Sequence, residues 1–297
     1  MRFVYNSNST MHLPALMQIR VARETGWDGI FVRAEHLRRY LDQGYDAASL
    51  GDALAGLEPI NLGALADVER WRPEEHEAMV AEARDLTDLA VAVGASFIQV
   101  LSGPVAPGGV YTGPAELSRR DQRRVTAEAL RAVADLGAPH GIRYYLEPVA
   151  WTPLAPLADA VAAIEEADRE NVGLVLDFWH LWQRGETPDA VARLDPRLIF
   201  GVDFADSLGA PGSPSADQRS RWVWPGEGSI PLQAWVDAVL ATGFDGWWDN
   251  ELYSSRHWES PDPFGVAAGL LDVLRGLVVG RSGPAARVAG ATQATPR

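Results

Sequence analysis

Eight short apolar runs recur along the 297-residue chain, each followed by a polar or Gly/Pro-rich segment and then a stretch patterned as a helix. The runs cover residues 3–5, 29–32, 60–64, 97–101, 144–146, 172–176, 198–202 and 246–248 and are dense in β-branched and aromatic side chains. Such runs suit strands buried on both faces, as in a parallel sheet. The stretches between them supply the crossover helices that parallel strands need. Pro73 to Val93 spaces Met79, Ala83, Leu86, Leu89 and Ala90 at helical intervals, with Pro73 where a first turn tolerates proline. Residues 119–136, 157–167 and 232–241 read the same way. Gly26, Gly94, Gly141 and Gly243 stand where helices commonly end before a strand.

Eight such alternations fit an α/β fold, a single (β/α)8 TIM barrel over residues 1–280, better than a doubly wound sheet. No G-x-G-x-x-G follows any run, which argues against dinucleotide binding. No linker splits the chain. Residues 281–297, rich in Gly, Ala, Pro and Thr without periodicity, read as a flexible C-terminal tail. Segments 102–114 and 207–228 are long and leave the C-terminal ends of strands, where barrel enzymes keep their active sites, so both are lid candidates.

Composition narrows the chemistry. All 26 basic residues are arginine, and there is no cysteine. Absence of lysine excludes Schiff-base and Walker-type phosphate chemistry; absence of cysteine excludes thiol nucleophiles, disulfides and thiolate metal sites. With 40 acidic residues the net charge is −14. Phosphate backbones are repelled by that excess, so nucleic acid is not an expected partner. No apolar stretch reaches the roughly 18 residues of a spanning helix. The N-terminus runs at once into polar residues, without the apolar core of a signal peptide. A cytoplasmic protein without membrane association is therefore expected.

Four of the runs end in carboxylates: Glu147 after the fifth, Asp177 after the sixth, Asp203 after the seventh and Glu251 after the eighth. A carboxylate beside a buried strand is costly unless paired, hydrogen-bonded or bound to metal. Four converging at one end of a barrel would repel one another without a cation, and an all-oxygen donor set favours Mg2+ or Mn2+.

The set Glu147-Pro148, Asp177-Phe178-Trp179-His180, Val202-Asp203-Phe204-Ala205-Asp206, Pro225-Gly226-Glu227-Gly228 and Asp245-Gly246 leading to Glu251 resembles the xylose isomerase-like TIM-barrel family of sugar phosphate isomerases and epimerases. Gly26-Trp27-Asp28-Gly29-Ile30 matches that family's entry to its second strand. The resemblance implies one divalent cation held by Glu147, Asp177, Asp203 and Glu251. Many members carry histidine where this chain has Asp203, and the departure is similar to a branch that includes dehydroshikimate dehydratases. Glu147 and Glu251 are implied as the proton-exchanging pair, and His180 as a proton shuttle or substrate hydrogen-bonder. Arg221 is implied as a substrate-binding residue. Trp151 and Trp179 offer aromatic walls, and Gln99, Glu35 and Asn6 are further polar groups near strand ends.

The expected function is thus a metal-dependent isomerase or epimerase of a sugar or cyclic polyol, acting by proton abstraction next to a carbonyl and an enediolate intermediate. The alternative is a metal-dependent lyase of the 3-dehydroshikimate or inosose type, in which the enolate expels a β-hydroxyl. An abasic-site endonuclease and a non-catalytic barrel are weaker readings, given few strand-end histidines and the strong negative charge. The cluster Arg119, Arg120, Arg123, Arg124 reads as a solvated helix face. The 11 tryptophans would also suit a homo-oligomer interface.

Overall fold

A computed structural model describes residues 1–106 and 109–280; the expected tail at 281–297 lies outside the described residues. Eight parallel strands close into one barrel in sequence order. They are β1 (Arg2–Asn6), β2 (Gly29–Arg33), β3 (Ile60–Leu65), β4 (Phe97–Leu101), β5 (Arg143–Glu147), β6 (Val172–Asp177), β7 (Ile199–Phe204) and β8 (Trp247–Asn250). Each overlaps one of the eight apolar runs, and the α/β barrel expected from their repetition is the fold observed.

Alternation along each strand sorts the side chains. One set fills the barrel: Val4, Phe31, Phe97, Tyr145, Val175, Phe200 and Trp247 form a cluster of their own. The other set faces the helices and joins a larger shell core. Large rings inside leave no room for side chains beside them. A Cβ on Gly201 would lie 2.2 Å from the Trp247 ring, and one on Gly63 would lie 2.3 Å from Phe31. Glycine at these positions lets the rings pack across the barrel.

The helices form where the periodicity predicts. Pro73–Val93 begins at Pro73 and ends at Gly94, whose φ of 72° is the left-handed conformation glycine adopts without strain. Arg119–Gly137 is capped by Ser118, whose hydroxyl accepts from the Asp121 amide. Among the described residues no helix is long and apolar enough to cross a membrane.

Candidate active site

The register of the last strands sets the site. Asp177 pairs with Asp203 across β6 and β7, and Asp203 with Asp249 across β7 and β8. Residues in register on parallel strands stand at one height, and here that height is the C-terminal mouth. Glu147, Asp177, Asp203 and Glu251 each bring a carboxylate oxygen to within 4.8 Å of the others.

Asp177 is held twice. It caps the helix Phe178–Arg184, its Oδ1 accepting from the amides of Trp179 at 2.7 Å and His180 at 3.1 Å. That bond pair fixes the carboxyl plane and leaves Oδ2 to accept from Arg221 Nη2 at 3.1 Å. The first helical turn carries His180 onto the same side as Asp177. His180 Nδ1 accepts the Ala150 amide proton at 3.1 Å, so the neutral ring carries its proton on Nε2. Nε2 then donates to Glu147 Oε1 at 3.1 Å. Gln99 Nε2 donates to the other oxygen of Glu147 at 2.5 Å.

Glu251 is braced in the same manner. Asn8 Nδ2 donates to its Oε1 at 2.8 Å, and Arg221 Nη2 donates to its Oε2. Arg221 lies over Trp179, with its guanidinium carbon 4.8 Å from the ring centroid. Burial alone would lower the Arg221 guanidinium, but Glu251, Asp177 and Glu147 around it hold it above its usual range. The carboxyl of Asp203 is pushed well up by burial, and next by Asp249, Glu147, Glu251 and Asp177. Asp249 is raised by burial and by Glu251, although Asn6 Nδ2 donates to it at 2.9 Å. Beneath them the Tyr145 hydroxyl is raised by burial and then by Asp203 and Asp249.

Five carboxyls therefore crowd together with only two of them, Asp177 and Glu251, paired with Arg221, and Asp203 Oδ1 is buried without a hydrogen-bond partner. An orphaned buried carboxyl oxygen is costly. A divalent cation among the four clustered oxygens would satisfy it and relieve the repulsion, and all-oxygen donors are the set a hard dication takes. The residues present fit such a group.

Above the cluster a cavity of about 190 Å3 opens to solvent. Gln99, Trp151, His180 and Arg221, all anticipated from the sequence, line it together with Glu147 and Glu251. Trp151 is fixed by donating from Nε1 to the Pro104 carbonyl at 2.9 Å. Trp179 and Glu35 stand elsewhere. The Trp179 ring is fully buried behind Arg221, and Glu35, 56% exposed, sits on the helix Ala34–Asp42 paired with Arg33 at 2.6 Å. Asn6 meets Asp249 rather than the cavity.

Four of the polar residues that the sequence did not single out bear on the geometry of the site. Asn8, Arg33 and Asp249 are described above or line the cavity, and the fourth is Asp206. Asp206 accepts the amides of Ser207, Gly226, Gly228 and Ile230 at 2.7, 2.9, 2.9 and 3.1 Å. It thereby ties the Pro-Gly-Glu-Gly turn to the end of β7 and closes the loop that carries Arg221. Strand parity was the available signal for two of the four. Asp249 lies two residues before Glu251, and Arg33 lies two after the inward-facing Phe31.

Comparison with known proteins matches residues 19–276 to the family described as xylose isomerase-like TIM barrel. The chain is 22% identical over 264 residues to an inosose isomerase of Bacillus subtilis strain 168, covering 87% of this chain and 91% of that one. It is 26% identical over 250 residues to a 3-dehydroshikimate dehydratase of Pseudomonas aeruginosa, covering 84% of this chain and 38% of that one. Its fold superposes with a TM-score of 0.83 and 20% identity on a crystal structure of the IolI protein with a bound zinc atom, covering 93% of this chain and 98% of that one.

Proposed function

This chain belongs to the xylose isomerase-like TIM barrel family, and from that premise we propose that it is a divalent-metal-dependent isomerase or epimerase of a polyhydroxylated ketone, a sugar or cyclic polyol. The carrying observation is the cluster of Glu147, Asp177, Asp203 and Glu251, with Asp203 Oδ1 unpartnered, at the floor of a cavity. These four would hold the cation, Mn2+ or Mg2+ by the oxygen donor set. When bound it supplies Lewis-acid polarisation of a substrate carbonyl and its neighbouring hydroxyl.

The chain's own groups do the rest. Glu147 removes the proton from the carbon beside the carbonyl, the C–H pair becoming the double bond of an enediolate. His180 and Gln99, one on each oxygen, hold that carboxylate in place. Glu251, braced by Asn8 and Arg221, returns a proton from the other side, at the adjacent carbon for isomerisation or the opposite face for epimerisation. Trp151 walls the cavity and excludes water from the exchanging protons.

A second reading, loss of water from the same enediolate, is favoured by the similarity to a 3-dehydroshikimate dehydratase and by His180, whose Nε2–H points at the reacting side. In that reaction the departing β-hydroxyl takes the His180 Nε2 proton and leaves as water, and the proton that Glu147 removed is passed back to His180. The metal-loaded protein in D2O separates these outcomes. Isomerisation conserves substrate mass apart from exchanged deuterium, whereas dehydration yields an ultraviolet-absorbing enone or aromatic product. Glu147→Gln and Glu251→Gln are each expected to lower exchange by at least about a hundredfold, the scale of a general acid–base group. Wild-type-like deuterium incorporation by either variant, or full turnover after exhaustive chelation, would remove the corresponding part of the proposal.

A further inference from the structure

Arg33 is the second guanidinium of the cavity, and it is not committed as Arg221 is. The Arg221 side chain is 3% exposed, and its Nη2 is already shared between Asp177 and Glu251. A substrate anion brought there would meet those same two carboxylates. Arg33 ends β2 on the side of the cluster away from Arg221's loop, and its side chain is 30% exposed. Its Nε meets Glu35 Oε1 at 2.6 Å, and its Nη1 makes a long 3.4 Å contact with Asn8 Oδ1. Water solvates the exposed Glu35 carboxylate well when the pair opens, so this ion pair is readily exchanged. Asn8 in turn donates to Glu251. Arg33 is thus one side chain removed from the reacting cluster, with a replaceable counter-ion.

We propose that Arg33, which lines the cavity, is a specificity-determining residue that gives up its pairing with Glu35 to receive, on the cavity side, a carboxylate carried by the substrate. The planar guanidinium edge freed by Glu35 matches a carboxylate in two parallel hydrogen bonds. The floor of the cavity, with Glu147 and Glu251, repels an anion. A carboxylated ketone is therefore oriented, its anion on Arg33 and its carbonyl on the cluster. The substrate class that follows is narrower than the proposed function alone requires: a polyhydroxylated ketone that also carries a carboxylate. This assignment rests on the proposed function, because it takes the cluster as the place where the carbonyl binds.

The test is calorimetric titration of the full chain loaded with Mn2+, using two unreactive probes: shikimate, a carboxylated cyclic polyol, and myo-inositol, a neutral one. Shikimate is expected to bind the wild type at least roughly tenfold more tightly than myo-inositol, the scale of one charge-assisted pair. Arg33→Gln should remove that preference, weakening shikimate at least roughly tenfold more than myo-inositol. Arg33→Lys, which keeps the charge without the planar fork, should restore part of it, and it guards against a Gln variant that fails to fold. Equal or tighter binding of myo-inositol by the wild type, or parallel weakening of both probes by Arg33→Gln, overturns the role of Arg33 and leaves the proposed function standing. If Mn2+ binds but neither probe does, the role of Arg33 is overturned; if Mn2+ itself does not bind, the proposed function falls and this inference falls with it.

Discussion

Glu69 lies buried in the loop after β3, with Oε2 accepting the Gly103 amide at 2.8 Å and Oε1 unpartnered. Burial, with Asp67 adding to it, pushes its carboxyl up from 4.5 to about 8. Asp67 Oδ1 accepts the Val105 amide at 2.9 Å, so the two acids together fasten the segment that walls the cavity. The folded chain thus keeps a proton that the unfolded chain releases near pH 4.5. Stability from this group is complete below that pH, declines as the pH rises toward about 8, and declines no further above it. Glu69→Gln keeps an acceptor for Gly103 and carries no charge to bury. Its melting temperature is expected to match the wild type near pH 4.5 and to exceed it by a growing margin up to pH 8. A constant difference across that range in calorimetric scans would show that Glu69 ionises normally. Glu69 stands in an ordinary polar loop sequence, and only the folded packing of Gly103 and Asp67 around it makes it unusual. The strand-end acids were readable because each follows an apolar run. Asp249 and Arg33 required in addition the two-residue parity of a strand.

Individual elements were legible for a different reason. A strand buried on both faces admits little besides apolar residues, so all eight runs stood out, and helices such as Leu157–Ala167 and Leu232–Ala241 carried their own periodicity. Contacts between elements were not legible, because they depend on register. Asp206 looks like one more acid after β7 until the chain returns at residue 226 to place three further amides on it. Gly201 is similar. Its neighbour across β7 and β8 is Trp247, whose indole occupies the space of the missing side chain. Gly201→Ala forces the indole and the packed rings of Phe97 and Tyr145 to move. We expect a loss of about 1–3 kcal/mol, the usual cost of overpacking a core, with the secondary structure intact. Denaturant unfolding followed by tryptophan fluorescence measures it directly. An unchanged midpoint would mean that the barrel interior has slack that the distances do not suggest.

At the scale of the whole molecule, the barrel concentrates negative charge at one end of its axis, on a chain that already carries −14. Closing the barrel buries Asp203 among four other carboxyls, so folding without a cation works against their mutual repulsion. Two opposite stability effects follow from the same geometry. In metal-free protein near neutral pH, Asp203→Asn removes a carboxyl whose ionisation burial and its four neighbours oppose, and it is expected to raise the melting temperature above that of the wild type. With Mn2+ or Mg2+ in hundredfold excess over its dissociation constant, the wild type should gain about 2.7 kcal/mol. For a chain of this size that corresponds to roughly 4–5 °C, while Asp203→Asn should gain little. The curves of the two proteins should therefore cross as metal is added. Differential scanning calorimetry across a metal titration reads this without any substrate. A wild type indifferent to both metals, or a metal-free Asp203→Asn less stable than its parent, would mean that the cluster is held by hydrogen bonds and Arg221 alone. A cluster less stable than its neutral variant until a dication arrives is the signature of residues arranged for binding rather than for folding.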